Sequence, residues 1–394
     1  MNQNTNQTSH PFELMEGGPL FNLQKRVGLI KQNAPHVKRR ALLAATFTWL
    51  PLLILSALRG TAFGHSVPVS FVRDFSAHTR FLLAVPLLVL AEVVVGPRIA
   101  AAAGHFVKSG VVIEKDFQKF DEIVDVTLKA RDSALAEIVT LLLAYIFSIV
   151  AFKQTAMHVS SWYGTRADSG NSLTWAGIWL VGFCIPLYQF LIFRWLWRLF
   201  LWFRFLARVR SLDVQLFPTH PDEAAGLGFV GGAQRFFGII LFAFSVGSAG
   251  VIAKSVVYDK TPLENFAPAI ATYVVVALII VLGPLVLFTR TLLKAKRVGL
   301  MQYGSLATAY TGSFHKKWIE RRNPDDEQLL GTADIQSLAD LGNSYTTIAK
   351  MKPIPLDPRT IIHLVVASLL PMTPLLLTIM PLKDVLKLLL KVLM

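Results

Sequence analysis

Pro218–Val257 reads PTHPDEAAGLGFVGGAQRFFGIILFAFSVGSAGVIAKSVV. Its first half carries two motifs of soluble proteins. His220-Pro221-Asp222 is a tripeptide that some co-chaperones use, and Gly226-x-Gly228-x-x-Gly231 has the spacing of a dinucleotide-binding turn. The second half decides the reading. A dinucleotide turn needs a soluble helix after it and an acid about 20 residues on to hold the ribose. Here an unbroken apolar run follows, of the length that crosses ~30 Å of hydrocarbon. Both soluble readings fall away. What remains is a turn feeding a membrane helix, with Pro218 and Pro221 stiffening it.

The same pattern recurs along the 394 residues, of which 53% are hydrophobic and only 16% charged. Soluble domains carry about 25% charged residues. The apolar runs predict seven crossings: Ala41–Leu58, Phe81–Ala100, Ala134–Phe152, Leu173–Phe193, Phe236–Val257, Ala269–Phe288 and Ile361–Met380. Backbone groups must be satisfied internally in lipid, so the crossings are helices and the fold class is an all-α polytopic membrane bundle. Pro86, Pro186, Pro284, Pro371 and Pro374 lie inside them, each leaving a carbonyl to be satisfied locally. The seventh run admits two readings, a full crossing or a re-entrant bend at its prolines.

The net charge of +14 sets orientation and does not point to nucleic acid, since no nucleic-acid motif accompanies it. Lys and Arg total 29 in one set of alternating connections and 7 in the other, leaving the C-terminal segment aside. The rich side is expected to be cytoplasmic, placing the N-terminus inside the inner membrane of a bacterium. No signal-peptide pattern opens the chain. Residues 1–40 read as a polar tail, disordered at its beginning. Residues 105–133 form an amphipathic helix expected to run on into the third crossing, and 294–360 a further helical segment begun by the Asn323-Pro324 cap. Residues 361–394 hold the last crossing and an amphipathic helix with Lys383, Lys387 and Lys391 on one face. Cys184 is the single cysteine, which excludes an intramolecular disulfide.

Ionisable groups near membrane helices are the candidate ion or ligand residues. They are Glu92, Glu137 and His363, together with His220, Asp222 and Glu223 in the opening turn. Glu92, Glu137 and His363 also admit a structural reading, as partners of Arg194, Arg198 or Arg290 that hold the bundle together. Arg194, Arg198, Arg204 and Arg208 fall within about 120° of one another on a helix, with tryptophans among them. They are expected to snorkel to lipid phosphate. Arg73, Asp74, His78 and Arg80 form a second polar cluster, in which Asp74 and His78 would share a helix face. No metal set, cofactor motif or nucleophile motif is present, and nothing identifies an enzymatic reaction.

The stretches RDFSAHTRFLLAVPLLVLAE, FPTHPDEAAGLGFVGG, GTADIQSLADLGNSY and LLPMTPLLLTIMPLKDVLKLLL give the chain a resemblance to a family of uncharacterised bacterial multi-pass inner-membrane proteins. That family's central motif is closer to HPD-x-AGGLGFL; Ala225 and Val230 depart from it here. The resemblance implies the architecture and brings no activity. Two functions fit the residues. One is a small-ion or solute channel or carrier, with Glu92, Glu137 and His363 lining its inner half and the His220 turn capping it. The other is a membrane scaffold or signalling protein that docks a partner, or a second copy of itself, through its cytoplasmic helices. A weaker third is an intramembrane enzyme acting on lipid. Membrane lipids, anionic ones on the cytoplasmic face included, are partners under all of these.

Overall fold

The computed structural model describes residues 12–28, 37–64, 66–155, 161–167, 170–320 and 333–378. It is a bundle of helices: α1 (Pro19–Arg26), α2 (Val37–Leu58), α3 (Phe75–Lys108), α4 (Glu114–Arg131), α5 (Ala134–Thr155), α6 (Trp175–Val209), α7 (Gly228–Val257), α8 (Leu263–Glu320), α9 (Ala333–Lys350) and α10 (Pro358–Thr378). A two-stranded hairpin, β1 (Gly164–Ala167) and β2 (Gly170–Leu173), pairs Gly164 with Leu173. Among the described residues, six helices are long and apolar enough to cross a membrane: α2, α3, α6, α7, α8 and α10. The α4–α5 pair makes a seventh if its two parts count as one span. Large apolar side chains such as Leu58, Leu142, Trp175 and Ile279 face outward, as a lipid-facing surface requires.

Connections alternate between two ends. At one end Val112 bridges Val214, Gly18 N–H donates to the Asp132 carboxylate and Lys352 N–H to the Glu223 carbonyl. At the other end Val69 bridges Ser161 and the Tyr258 hydroxyl donates to the Arg73 carbonyl. The first is the arginine-rich end and is called the basic end; the second is the far end. The last span runs the length of the bundle. It starts beside the basic end at Pro358, and its Met372 and Leu375 pack with Ile252 and Leu263 at the far end.

Three boundaries differ from the sequence reading. The amphipathic helix does not run straight on: α4 stops at Arg131 and α5 restarts at Ala134 after a 45° bend. The sixth crossing, expected to end at Phe288, has no end there, because α8 continues as a rod to Glu320 and pairs there with α9. The N-terminal region is no loose tail from Phe12 onward, since Phe12, Leu14 and Met15 are buried. Its first residues, the Asn323 cap and the C-terminal lysine helix lie outside the described residues.

Proline shapes the spans through the carbonyls it frees. Pro51 releases the Phe47 carbonyl, which accepts from Trp179 Nε1 at 3.4 Å, and Pro186 releases that of Gly182, which accepts from the Tyr145 hydroxyl at 3.1 Å. Ahead of Pro86 and Pro186 the backbone widens to π-helix, at Thr79–Ala84 and Leu180–Cys184. The ring cannot pass the carbonyl four residues back, so the turn opens.

Candidate functional site

The HPD turn is built around one carboxylate. Asp222 accepts from the backbone N–H groups of Ala224 (2.8 Å), Gly226 (3.1 Å) and Gly228 (2.8 Å), and lies 2.9 Å from His220 Nδ1. Burial pushes its pKa up, but those three amides and His220 outweigh this and hold it below the ordinary carboxylate value. Glu223 pairs with Lys352 at 3.3 Å. Gly226 adopts φ +94°, and Ala225 is held at φ +54°, a region that favours glycine. Gly231 lies flat against the Pro355 carbonyl, where a side chain would collide. The motif residues are thus used in fastening the loop to the segment before α10. No third His, Cys, Asp or Glu joins His220 and Asp222 in a metal set among the described residues.

At the basic end of the spans, Glu92 on α3 receives three arginines: Arg40 (2.9 Å), Arg198 (2.9 Å) and Arg194 (3.8 Å). This is the pairing that the structural reading of Glu92 expected for Arg194 and Arg198. It also corrects the expectation of lipid contact for those two. Both are buried, because a carboxylate inside the bundle outcompetes the headgroup region for them. Arg204 and Arg208, further along α6, are half-exposed, and Arg290 is exposed. Surplus positive charge meets the N-terminal segment. Arg198 donates to the Met15 carbonyl at 2.9 Å and Arg194 to that of Gly17 at 3.5 Å, while Arg131 donates to that of Glu13. Leu20 N–H donates to Glu137 at 3.0 Å. Phe12 packs 4.5 Å from Phe205 and 6.0 Å from Trp202. The segment is bound much as an extended peptide would be. Its signal in the sequence was the apolar alternation Phe12, Leu14 within a polar region. Beside it Arg194 Nη1, Trp197 Nε1 and Glu137 Oε1 make no hydrogen bond among the described residues and border a space of about 20 Å³, room for one water.

Glu92 and Glu137 therefore meet around Arg194, but His363 does not join them. It is exposed and rests against Gly238 on α7. The three do not line one route.

The far end holds a different arrangement. A cavity of about 180 Å³ lies among α3, α6 and α7, bordered by residues of both π segments, Arg80 and Leu180. Asp74 caps the first turn of α3 by accepting from Ser76 and Ala77 N–H, and also accepts from Trp162 Nε1 at 2.9 Å. Lys254 stands 3.9 Å from that carboxylate and over the Tyr163 ring. His78 does not share this site with Asp74. It accepts from Trp49 Nε1 at 2.9 Å, and its other ring nitrogen lies 3.0 Å from the Val72 carbonyl. Arg80 and Gln189 line the cavity and make no hydrogen bond or ion pair with any described residue. Gly247 makes the room: a side chain there would collide with the Tyr188 hydroxyl and come within 3.6 Å of Arg80 Cγ. Between this cavity and Glu92 stand buried Phe81, Val85, Leu88 and Trp195, and the last two also line a separate apolar cavity of about 230 Å³. In the sequence Arg80 stands beside Arg73, Asp74 and His78 with nothing to set it apart. Which charges find partners depends on helices more than 100 residues apart.

Compared with protein-family models, with curated proteins and with solved structures, the chain matches none.

Proposed function

We propose that this integral membrane protein sits in a bacterial inner membrane with its N-terminus in the cytoplasm, and that it is a carrier for a small polar solute. The orientation follows the Lys and Arg excess at the basic end. One observation carries the function. Arg80, with no hydrogen bond or ion pair to a described residue, lines a cavity within the spans, and buried apolar side chains stand between that cavity and Glu92. Ionisable groups inside membrane helices are kept for pathways or ligands unless they are paired. Those apolar side chains favour a carrier over an open pore, with the Glu92 cluster and the N-terminal segment as the seal on the cytoplasmic side. π-Helical turns at the cavity wall are the kind of local break that recurs at functional sites.

The test is uptake of labelled small solutes by liposomes holding the purified protein. Saturable, protein-dependent uptake is expected. No uptake of any inorganic ion, organic acid or amino compound by folded protein would sink the carrier reading, and unsaturable flux would mean a pore. A second reading, a scaffold or signalling protein, draws on the α8–α9 hairpin. Met301, Leu306, Ile335 and Tyr345 are exposed there on helices that reach beyond the spans.

A further inference from the structure

The far-end cavity contains unlike charges, and their placement restricts what it can hold. Arg80 is five residues into α3, about 8 Å along the helix axis from its start. Lys254 is already compensated by Asp74, and exposed Asp259 stands at the mouth. The deep half therefore presents one uncompensated positive charge, beside the Tyr188 hydroxyl and the Gln189 amide. The mouth presents the Asp259 carboxylate.

A guanidinium offers a planar fork of N–H donors that matches a carboxylate with two parallel hydrogen bonds. A single negative charge neutralises Arg80, whereas a second would find no cation left and would face the exposed Asp259. The cavity, at about 180 Å³, is smaller than the ~300 Å³ at which sites for drug-sized ligands begin. Its walls mix Arg80 and Gln189 with Phe81, Leu180 and Val251, which suits a short apolar body behind a charged head. We infer that the cavity binds a small organic monocarboxylate, with its carboxylate on Arg80 and its body against the apolar wall. This deepens the reading of the cavity as the solute site and rests on it.

The experiment is a binding titration of the full-length protein in detergent, read by calorimetry and by the shift of its thermal unfolding. The probes are acetate, propionate and butyrate, with sulfate and phosphate at matched ionic strength as the dianion arm and methylammonium as the cation arm. Saturable binding of the monocarboxylates is expected, with the dianions and the cation failing to compete. Arg80→Gln should weaken propionate binding about 10–100-fold, and Arg80→Lys, which keeps the charge without the fork, should fall between it and the native protein. Gln189→Leu is a second probe of the same wall, should an Arg80 variant not fold. The inference is overturned if no monocarboxylate binds, if sulfate or phosphate binds as tightly, or if folded Arg80→Gln binds propionate like the native protein. Binding and transport are read separately. Intact propionate binding with no uptake by liposomes removes the carrier reading alone.

Discussion

Glu92 and Arg80 lie on one helix, 12 residues or about 18 Å apart, and each faces α6. Glu92 is gripped by three arginines and covered by the N-terminal segment. Arg80 lines a cavity and is paired with nothing described. Both are charges inside membrane spans, and the same rule would mark both as functional. Pairing separates them. A charge satisfied by its own chain holds the bundle together. A charge left unsatisfied beside a cavity is poised for a ligand.

The widest break in that comparison comes from neutralising each side in turn. Glu92→Gln leaves three buried arginines facing one another, and removing one member of a buried ionic cluster costs about 3–5 kcal/mol. Purified Glu92→Gln should show a large drop in thermal unfolding temperature or fail to accumulate. Arg80→Gln removes a charge that has no partner among the described residues, so its unfolding temperature should match or exceed the native one. Equal losses in the two variants would erase the distinction. The next effect tests the helix packing that holds the Arg80 turn. Gly250 packs its bare backbone on Thr79 at the π-helical turn, with a new Cβ only 2.8 Å from the Phe75 carbonyl. Gly250→Ala should cost about 1–3 kcal/mol by overpacking and weaken ligand binding by shifting the Arg80 turn. Gly312→Ala on α8, where no described residue lies within 4 Å of the new carbon, should be neutral or slightly stabilising under the same melt.

The fold was legible because hydrophobic length is a local property. Phe236–Val257 announces a span without knowledge of any neighbour, and the charge asymmetry anticipated which connections cluster at which end. The site was legible only as a list of charges. Glu92, Glu137, Arg80 and Asp222 are similarly conspicuous in the sequence, yet one is an ion-pair hub, one holds a backbone amide, one has no described partner and one organises a loop. Those roles arise from contacts across 100 or more residues, or from backbone N–H groups that have no signature. Asp222 shows the second case. Its three amide partners exist only because Glu223 and Ala225 take positive φ. A neighbouring charge could be guessed at; this geometry could not.

Asp222 gives the third prediction. With its folded-state value below the ordinary 3.8, its contribution is fully present at neutral pH. It is lost as pH falls through 3.8 toward the folded-state value. Asp222→Ala should cost about 1–3 kcal/mol and abolish that acid dependence. Asp222→Asn keeps an oxygen for Ala224 and Gly226 but loses the acceptor for Gly228, so it should fall between. Unfolding followed from pH 7 to pH 3 separates the three proteins. Indistinguishable acid profiles in the native protein and the Asp222→Ala variant would show that the turn is not held by this carboxylate.

The smallest effect comes from a residue of the same turn. Ala225 is fully buried and holds φ +54°, where an L side chain costs about 1–2 kcal/mol relative to glycine. Ala225→Gly relieves that strain, loses the burial of one methyl at about 0.8 kcal/mol and adds about 0.5–1 kcal/mol of unfolded-chain entropy. These oppose one another, so the change should stay within about 1 kcal/mol of zero in a denaturation curve. Set beside Gly250→Ala, it compares two changes of a single methyl group. At Gly250 the added carbon meets another helix that cannot retreat without moving the cavity. At Ala225 the removed carbon leaves a loop whose shape is set by Asp222. A large loss on Ala225→Gly would mean that packing of this methyl, and not the Asp222 network, is what keeps the loop in place.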